Sequence, residues 1–123
     1  MASQETRLLF RNIDEPGLAS IDTYRKFGGY QSIRKAYTEM TPEEVLRELE
    51  DSGLRGRGGA AFSMGKKASF LPRGDMDKYL CCNADESEPG AFKDRELMQK
   101  NPHQLIEGLI IAASAAAVIR TGS

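Results

Sequence analysis

The sequence predicts an α/β domain preceded by an N-terminal helical arm. Two helix starts and one short apolar run carry that expectation. Thr41-Pro42-Glu43-Glu44 and Asn101-Pro102-His103-Gln104 each set a capping residue before a proline, with an acid or amide two residues beyond it. Between them, residues 78–83 (KYLCCN) read as a short buried strand bounded by loops. The chain has 123 residues, 40% hydrophobic and 28% charged, which suits about one globular domain or part of one.

Residues 1–20 read as an irregular arm, with turn chemistry at Asp14-Glu15-Pro16-Gly17. Residues 21–38 read as helical, broken at Gly28-Gly29. From Thr41 a helix with Val45, Leu46 and Leu49 on one face runs until Gly53 stops it. Residues 53–74 are glycine-rich and polar without a clear period. The expected strand follows, then a carboxylate-rich loop closed by Pro89-Gly90, a helix over 92–100, and a second helix from Asn101 to about Ala117. His103, in the first turn of that helix, is expected at the surface.

Composition excludes several classes. Seventeen Lys and Arg against 18 Asp and Glu give a net charge of −1, without the basic excess of a general nucleic-acid binder. Two adjacent cysteines, Cys81 and Cys82, make neither a disulfide framework nor a four-cysteine metal site. The most apolar stretch, residues 105–119, is shorter than the ~20 residues that cross a bilayer and is interrupted by Glu107. The N-terminal MASQETRLLFRN lacks the apolar core of an export signal, so the expected location is cytoplasmic.

Charge is segregated along the chain. Residues 52–74 hold five bases (Arg55, Arg57, Lys66, Lys67, Arg73) and no acid. Residues 75–96 hold seven acids against three bases. Such a pair of loops suits a ligand bearing both phosphates and hydroxyls; two solvated loops that pair with each other are the plainer reading. In the first loop, glycine amides can approach an anion closely. The Walker pattern fails twice there, with Ala60 at its first glycine and Lys67 at its Ser/Thr. The dinucleotide fingerprint matches Gly56, Gly58 and Ala61, yet follows a helix where it should follow a strand. In the second loop, Asp85, Glu86 and Glu88 need donors, which ribityl or sugar hydroxyls and a carboxamide supply. Asn83 offers both donor and acceptor to the edge of a heterocycle. A divalent cation is the rival ligand, although the spacing fits neither an EF-hand nor a zinc motif.

Taken together, SGLRGRGGAAF (52–62), Gly65, Lys67, Ser69-Phe70, CNADESEPG (82–90), FKDRELM (92–98) and PHQLIEGLIIAA (102–113) resemble the NADH- and FMN-binding (51 kDa-type, diaphorase) subunit of respiratory NADH:quinone oxidoreductase. Diaphorase subunits of NAD-reducing hydrogenases and formate dehydrogenases share these motifs. The similarity runs from about Tyr24 to Ala113.

The resemblance implies an incomplete Rossmann-like domain over 53–123, truncated, with an arm and helices over 1–52. It implies that Gly56, Arg57, Gly58 and Gly59 form the loop at the cofactors, and that Lys67, Asn83 and Asp85 contact FMN with Glu86 nearby. It further puts Glu88 near the nicotinamide of NADH, and Phe62 and Phe70 against adenine. The implied activity is that of an NADH dehydrogenase: hydride passes from NADH to FMN, no side chain is a catalytic acid or base, and electrons leave to iron–sulfur clusters. The implied partners are the other subunits of an NADH-oxidising complex, above all an iron–sulfur 24 kDa-type subunit, in a peripheral position on the inner membrane.

Some positions depart from the family. Ala61 stands where it has Gly, Ser63-Met64 where it has Pro-Thr or Ser-Thr, and Ala68 where it has Trp. The family's 4Fe–4S cysteines lie in a part that these 123 residues do not contain. The chain is therefore expected to be a fragment, active only with the rest of its subunit. The alternative is a non-catalytic structural or assembly fragment of the same ancestry.

Overall fold

The computed structural model describes residues 7–57, 59–72 and 74–118. The expectations that fall on residues 1–6, Gly58, Arg73 and 119–123 lie outside the described residues. Among those described there are six helices and no strand: α1 (Ile21–Lys26), α2 (Gln31–Thr38), α3 (Pro42–Asp51), α4 (Met64–Ser69), α5 (Lys93–Lys100) and α6 (Pro102–Val118). They fall into two compact units, Met1–Gly29 with Asn83–Ile106, and Tyr30–Cys82 with Glu107–Ser123.

In the first unit the arm is a run of successive turns. Ile13, Glu15, Leu18 and Ser20 each donate their N–H to the carbonyl three residues earlier, and Gly17 supplies the positive φ (+74°) that the series needs. Ile13, Leu18 and Tyr24 are buried, so the arm contributes core rather than a solvated tail. Helix α1 ends where Gly28 and Gly29 donate to the carbonyls of Arg25 and Tyr24. A side chain at Gly29 would collide with the Tyr24 ring and approach the Tyr24 carbonyl oxygen to 2.6 Å. Tyr24 also stacks on His103 at 5.5 Å between ring centroids. Expected as a surface residue, His103 is instead half-buried. Between α5 and α6, the buried Asn101 donates through Nδ2 to Gln104 Oε1 at 2.6 Å.

In the second unit α3 starts as its sequence predicts. The Thr41 N–H donates to Glu44 Oε2 (2.7 Å) and the Glu44 N–H to Thr41 Oγ1 (3.2 Å), a complete capping box. Gly53, at φ +67°, follows its end. Helix α4, which the glycine-rich composition concealed, packs on α3. The contact is close: a Cβ at buried Gly65 would lie 2.6 Å from Glu50 Cβ and 2.7 Å from its backbone nitrogen. Helix α2 has no side-chain cap of its own and is entered through Tyr30 at φ +65°. Buried Glu107 of α6 supplies the cap: Oε2 accepts from the Tyr30 N–H (3.1 Å) and Oε1 from the Ile33 N–H (3.2 Å).

A second expectation is corrected. Residues 78–83 form no strand and are not buried; Tyr79 is 86% and Leu80 49% exposed, and both cysteines are exposed. A strand exists through the hydrogen bonds of a neighbour, and the described residues offer this segment no such neighbour. The α/β class is thus present here only in its helical part.

Candidate functional site

The glycine turn is a closed loop. The Gly56 N–H donates to the Phe62 carbonyl (2.8 Å) and the Met64 N–H to the Leu54 carbonyl (2.9 Å), pinching the chain at an antiparallel bridge between Arg55 and Ser63. Inside it the backbone is left-handed at Gly59 (φ +96°) and at Ala61 (φ +48°). The turn needs positive φ at this last position, and Ala61 adopts it at a steric cost. The amides of Arg57, Gly59, Ala60 and Ala61 take part in none of the backbone hydrogen bonds among the described residues.

Ser63 closes the turn and caps α4, its Oγ accepting from the Lys66 N–H (3.3 Å). Lys67 lies exposed on that short helix, and Arg57 is exposed in the turn. Phe62 (45% exposed) and Phe70 (64%) flank the same segment, their ring centroids 6.1 Å apart and tilted by 45°. Two exposed rings side by side offer a flat apolar ligand a place to lie. In the same unit, Lys78 Nζ is buried without a hydrogen-bond partner among the described residues. An ammonium in that position calls for an anion.

The carboxylate loop braces itself. Asn83 Oδ1 accepts from the Asp85 N–H (3.0 Å) and Asp85 Oδ2 from the Ser87 hydroxyl (2.8 Å). Gly90, at φ +81°, completes a turn in which the Ala91 N–H donates to the Glu88 carbonyl. Glu86 points elsewhere: its carboxylate accepts from the Asp94 N–H (2.8 Å) and the Arg95 N–H (3.3 Å), with Lys93 Nζ at 3.5 Å. Its side chain is 11% exposed. These bonds, led by the Asp94 N–H, hold its carboxyl below the usual glutamate range. Asp85 and Glu88 remain exposed.

The structure therefore brings together Phe62 and Phe70 beside the glycine turn in one unit, and Asn83 and Asp85 in the other, where Glu86 turns away to α5. Gly58, expected in the turn, lies outside the described residues. Sequence reasoning missed the capping by Glu86 and Glu107 and the buried Nζ of Lys78; no local pattern signals any of them. An open groove of about 310 Å³, lined by Ser32, Lys35, Met40, Val45, Leu49 and Ile111 among others, contains none of the expected site residues. Among the described residues no three His, Cys, Asp or Glu side chains are arranged to hold a metal ion. Nor is any helix there long and apolar enough to cross a membrane.

Comparison with known proteins bears on both loops. The family described as the Nuo51 FMN-binding domain matches residues 49–121, which contain the turn and the carboxylate loop. The chain is 53% identical over 109 residues to one of the F subunits of NADH-quinone oxidoreductase in Rhizobium meliloti, covering 88% of this chain and 26% of that protein. It is 47% identical over 114 residues to the F subunit of the Aquifex aeolicus enzyme (93% and 26%) and 45% over 115 to that of Escherichia coli (92% and 26%). The chain thus spans about a quarter of the length of the curated relatives it matches.

Proposed function

The chain belongs to the Nuo51 FMN-binding domain family, and from that premise we propose that it is part of an NADH dehydrogenase subunit that accepts hydride from NADH onto FMN and passes electrons to iron–sulfur clusters. The observation that carries the reading is the single family match spanning both the glycine turn and the carboxylate loop. Bound FMN supplies a two-electron acceptor able to release electrons singly. The chain's own residues bind and orient. Gly56 closes the loop at the cofactors through its bond to Phe62, and Arg57, Gly58 and Gly59 offer amides and a guanidinium to phosphate; Lys67, Asn83 and Asp85 contact FMN, with Glu86 beside them. Glu88 lies toward the nicotinamide, and Phe62 and Phe70 take the adenine. The residues present suit such a ligand: among the described residues the turn keeps four amides outside the backbone hydrogen bonds, the two rings lie side by side, and the buried Lys78 Nζ has no hydrogen-bond partner.

The finer fold is part of the same proposal. Residues 78–83 become a strand of a Rossmann-like sheet once a neighbouring segment pairs with them; their exposed Tyr79 and Leu80 support this. The partners are the other subunits of an NADH-oxidising complex, above all an iron–sulfur 24 kDa-type subunit, and a 4Fe–4S cluster belongs to sequence outside this chain. The site of action is the cytoplasmic side, peripheral to the inner membrane.

Flavin absorbance of the purified chain, alone and with the remainder of the subunit supplied, tests the reading, together with NADH-dependent ferricyanide reduction. A yellow, NADH-responsive preparation in the second case is expected. A colourless, inactive one in both overturns it. The alternative, a non-catalytic structural or assembly fragment of the same ancestry, predicts a flavin-free chain that still co-purifies with a multisubunit complex.

A further inference from the structure

Glu86 is one of three carboxylates in a four-residue stretch, yet its surroundings differ from those of the other two. Among the described residues Asp85 bonds only its loop neighbours Asn83 and Ser87, and Glu88 is exposed. Glu86 is folded back on the start of α5. Its two oxygens take the N–H groups of Asp94 and Arg95, the second and third residues of a helix whose N-cap, Phe92, has no side-chain bond to offer. Lys93 Nζ approaches the same carboxylate and also donates to Asp94 Oδ1 at 3.1 Å. Both oxygens are thus occupied by donors of this chain, with the negative charge at the positive end of the helix.

We propose that Glu86 is a positioning residue: it clamps the carboxylate loop to the N-terminus of α5, and so fixes the backbone from which Asn83, Asp85 and Glu88 reach their ligands. It is not itself a flavin ligand. The inference rests on the flavin reading for what those three residues touch, but the clamp stands on this chain's geometry alone. The loop has no regular secondary structure from Asn83 to Ser87. Its fixed points are the Asn83–Asp85 and Asp85–Ser87 bonds, the turn at Gly90, and Glu86 on α5. Only the last of these ties the loop to a helix. The distinction between clamp and ligand has a chemical signature. A clamp needs an acceptor oxygen at the right reach and tolerates the loss of charge in part. A shorter side chain fails it as a deletion does.

Amide hydrogen exchange across residues 83–96 in the chain as it stands tests the clamp without cofactor. Glu86→Ala and Glu86→Asp are expected to speed exchange at Asp94, Arg95 and along the loop by about tenfold. Glu86→Gln, which keeps the reach and one good acceptor, is expected to stay within about threefold of the parent. Unchanged exchange in Glu86→Ala overturns the clamp. FMN binding, measured with the whole subunit assembled, then separates clamp from ligand. Affinity should fall about tenfold in Glu86→Ala and be largely restored in Glu86→Gln, with the bound flavin spectrum unaltered. Loss of flavin in Glu86→Gln while exchange stays at the parent rate makes Glu86 a direct ligand and overturns the proposal. Were no form to bind FMN, the parent included, the flavin reading would fail while the exchange results still decided the clamp.

Discussion

Helices α3 and α2 satisfy the same two orphan donors, the N–H of the N-cap residue and that of the third helical residue, by opposite means. In α3 the acceptors are Thr41 and Glu44, three residues apart and part of the helix they cap. In α2 one carboxylate, Glu107, takes both N–H groups from 77 and 74 residues away. The first arrangement is complete as soon as its own segment is; the second exists only when the tertiary structure does. Helix α5 repeats the second pattern over a shorter span, through Glu86. A helix closed by its own residues announces itself in sequence, whereas one closed from elsewhere looks uncapped and depends on its neighbours.

The largest effect tests how far even the self-capped α3 depends on tertiary contact. Gly65→Ala puts a methyl group against the Glu50 backbone, which cannot rotate aside. The helices must separate, and a loss of about 3 kcal/mol is expected, read as a drop in the urea midpoint. Trimming Glu50 to Ala should not rescue it, because backbone and Cβ remain. Rescue by that second change would mean the helices are not as close as described.

Next comes the remote cap. Glu107→Ala leaves the Tyr30 and Ile33 N–H groups without their acceptor and is expected to cost about 2 kcal/mol. Thr41→Ala, which breaks the local capping box, is expected to cost about 1 kcal/mol. The ordering is the sharp part. If thermal unfolding finds the local cap costlier, remote capping adds nothing beyond what any cap gives.

Glu86 extends the comparison to pH. Its folded pKa lies below the ordinary 4.5, so its contribution is fully present above about pH 4.5 and is lost as pH falls through the folded value. The stability advantage of the parent over Glu86→Gln should therefore shrink on acidification below that point. An advantage that grows instead would mean the carboxylate is not engaged with α5.

Much of the helical framework was legible because its signals are local: the capping box at Thr41, the break at Gly28-Gly29 and the Asn101-Pro102 start all recur in the structure. Helix α4 was hidden because Gly65, two lysines and one serine in its six residues leave no apolar period, and what places it is the contact with α3. The apolar run 78–83 misled for the complementary reason. Its side chains suit a strand, but strand identity belongs to a pair of segments, and the described residues hold only one of them. The candidate site was legible as composition: glycines and bases in one loop, carboxylates in the next. That Glu86 faces a helix while Asp85 and Glu88 face outward is not a property of composition.

The smallest effect concerns the glycine turn, where a local requirement is met by the wrong residue. Ala61 sits at φ +48°, in the region that L-residues other than Asn and Asp seldom occupy. Its Cβ there costs on the order of 1 kcal/mol. Replacing it with glycine removes that strain but adds freedom to the unfolded chain, which takes back part of the gain. A net stabilisation of about 0.5 kcal/mol is expected for Ala61→Gly, seen as a small rise in the urea midpoint. Ala60→Gly, one residue earlier and without positive φ, should lower it, because there the entropy term acts alone. Equal shifts at the two positions would remove the backbone strain from the account of this turn.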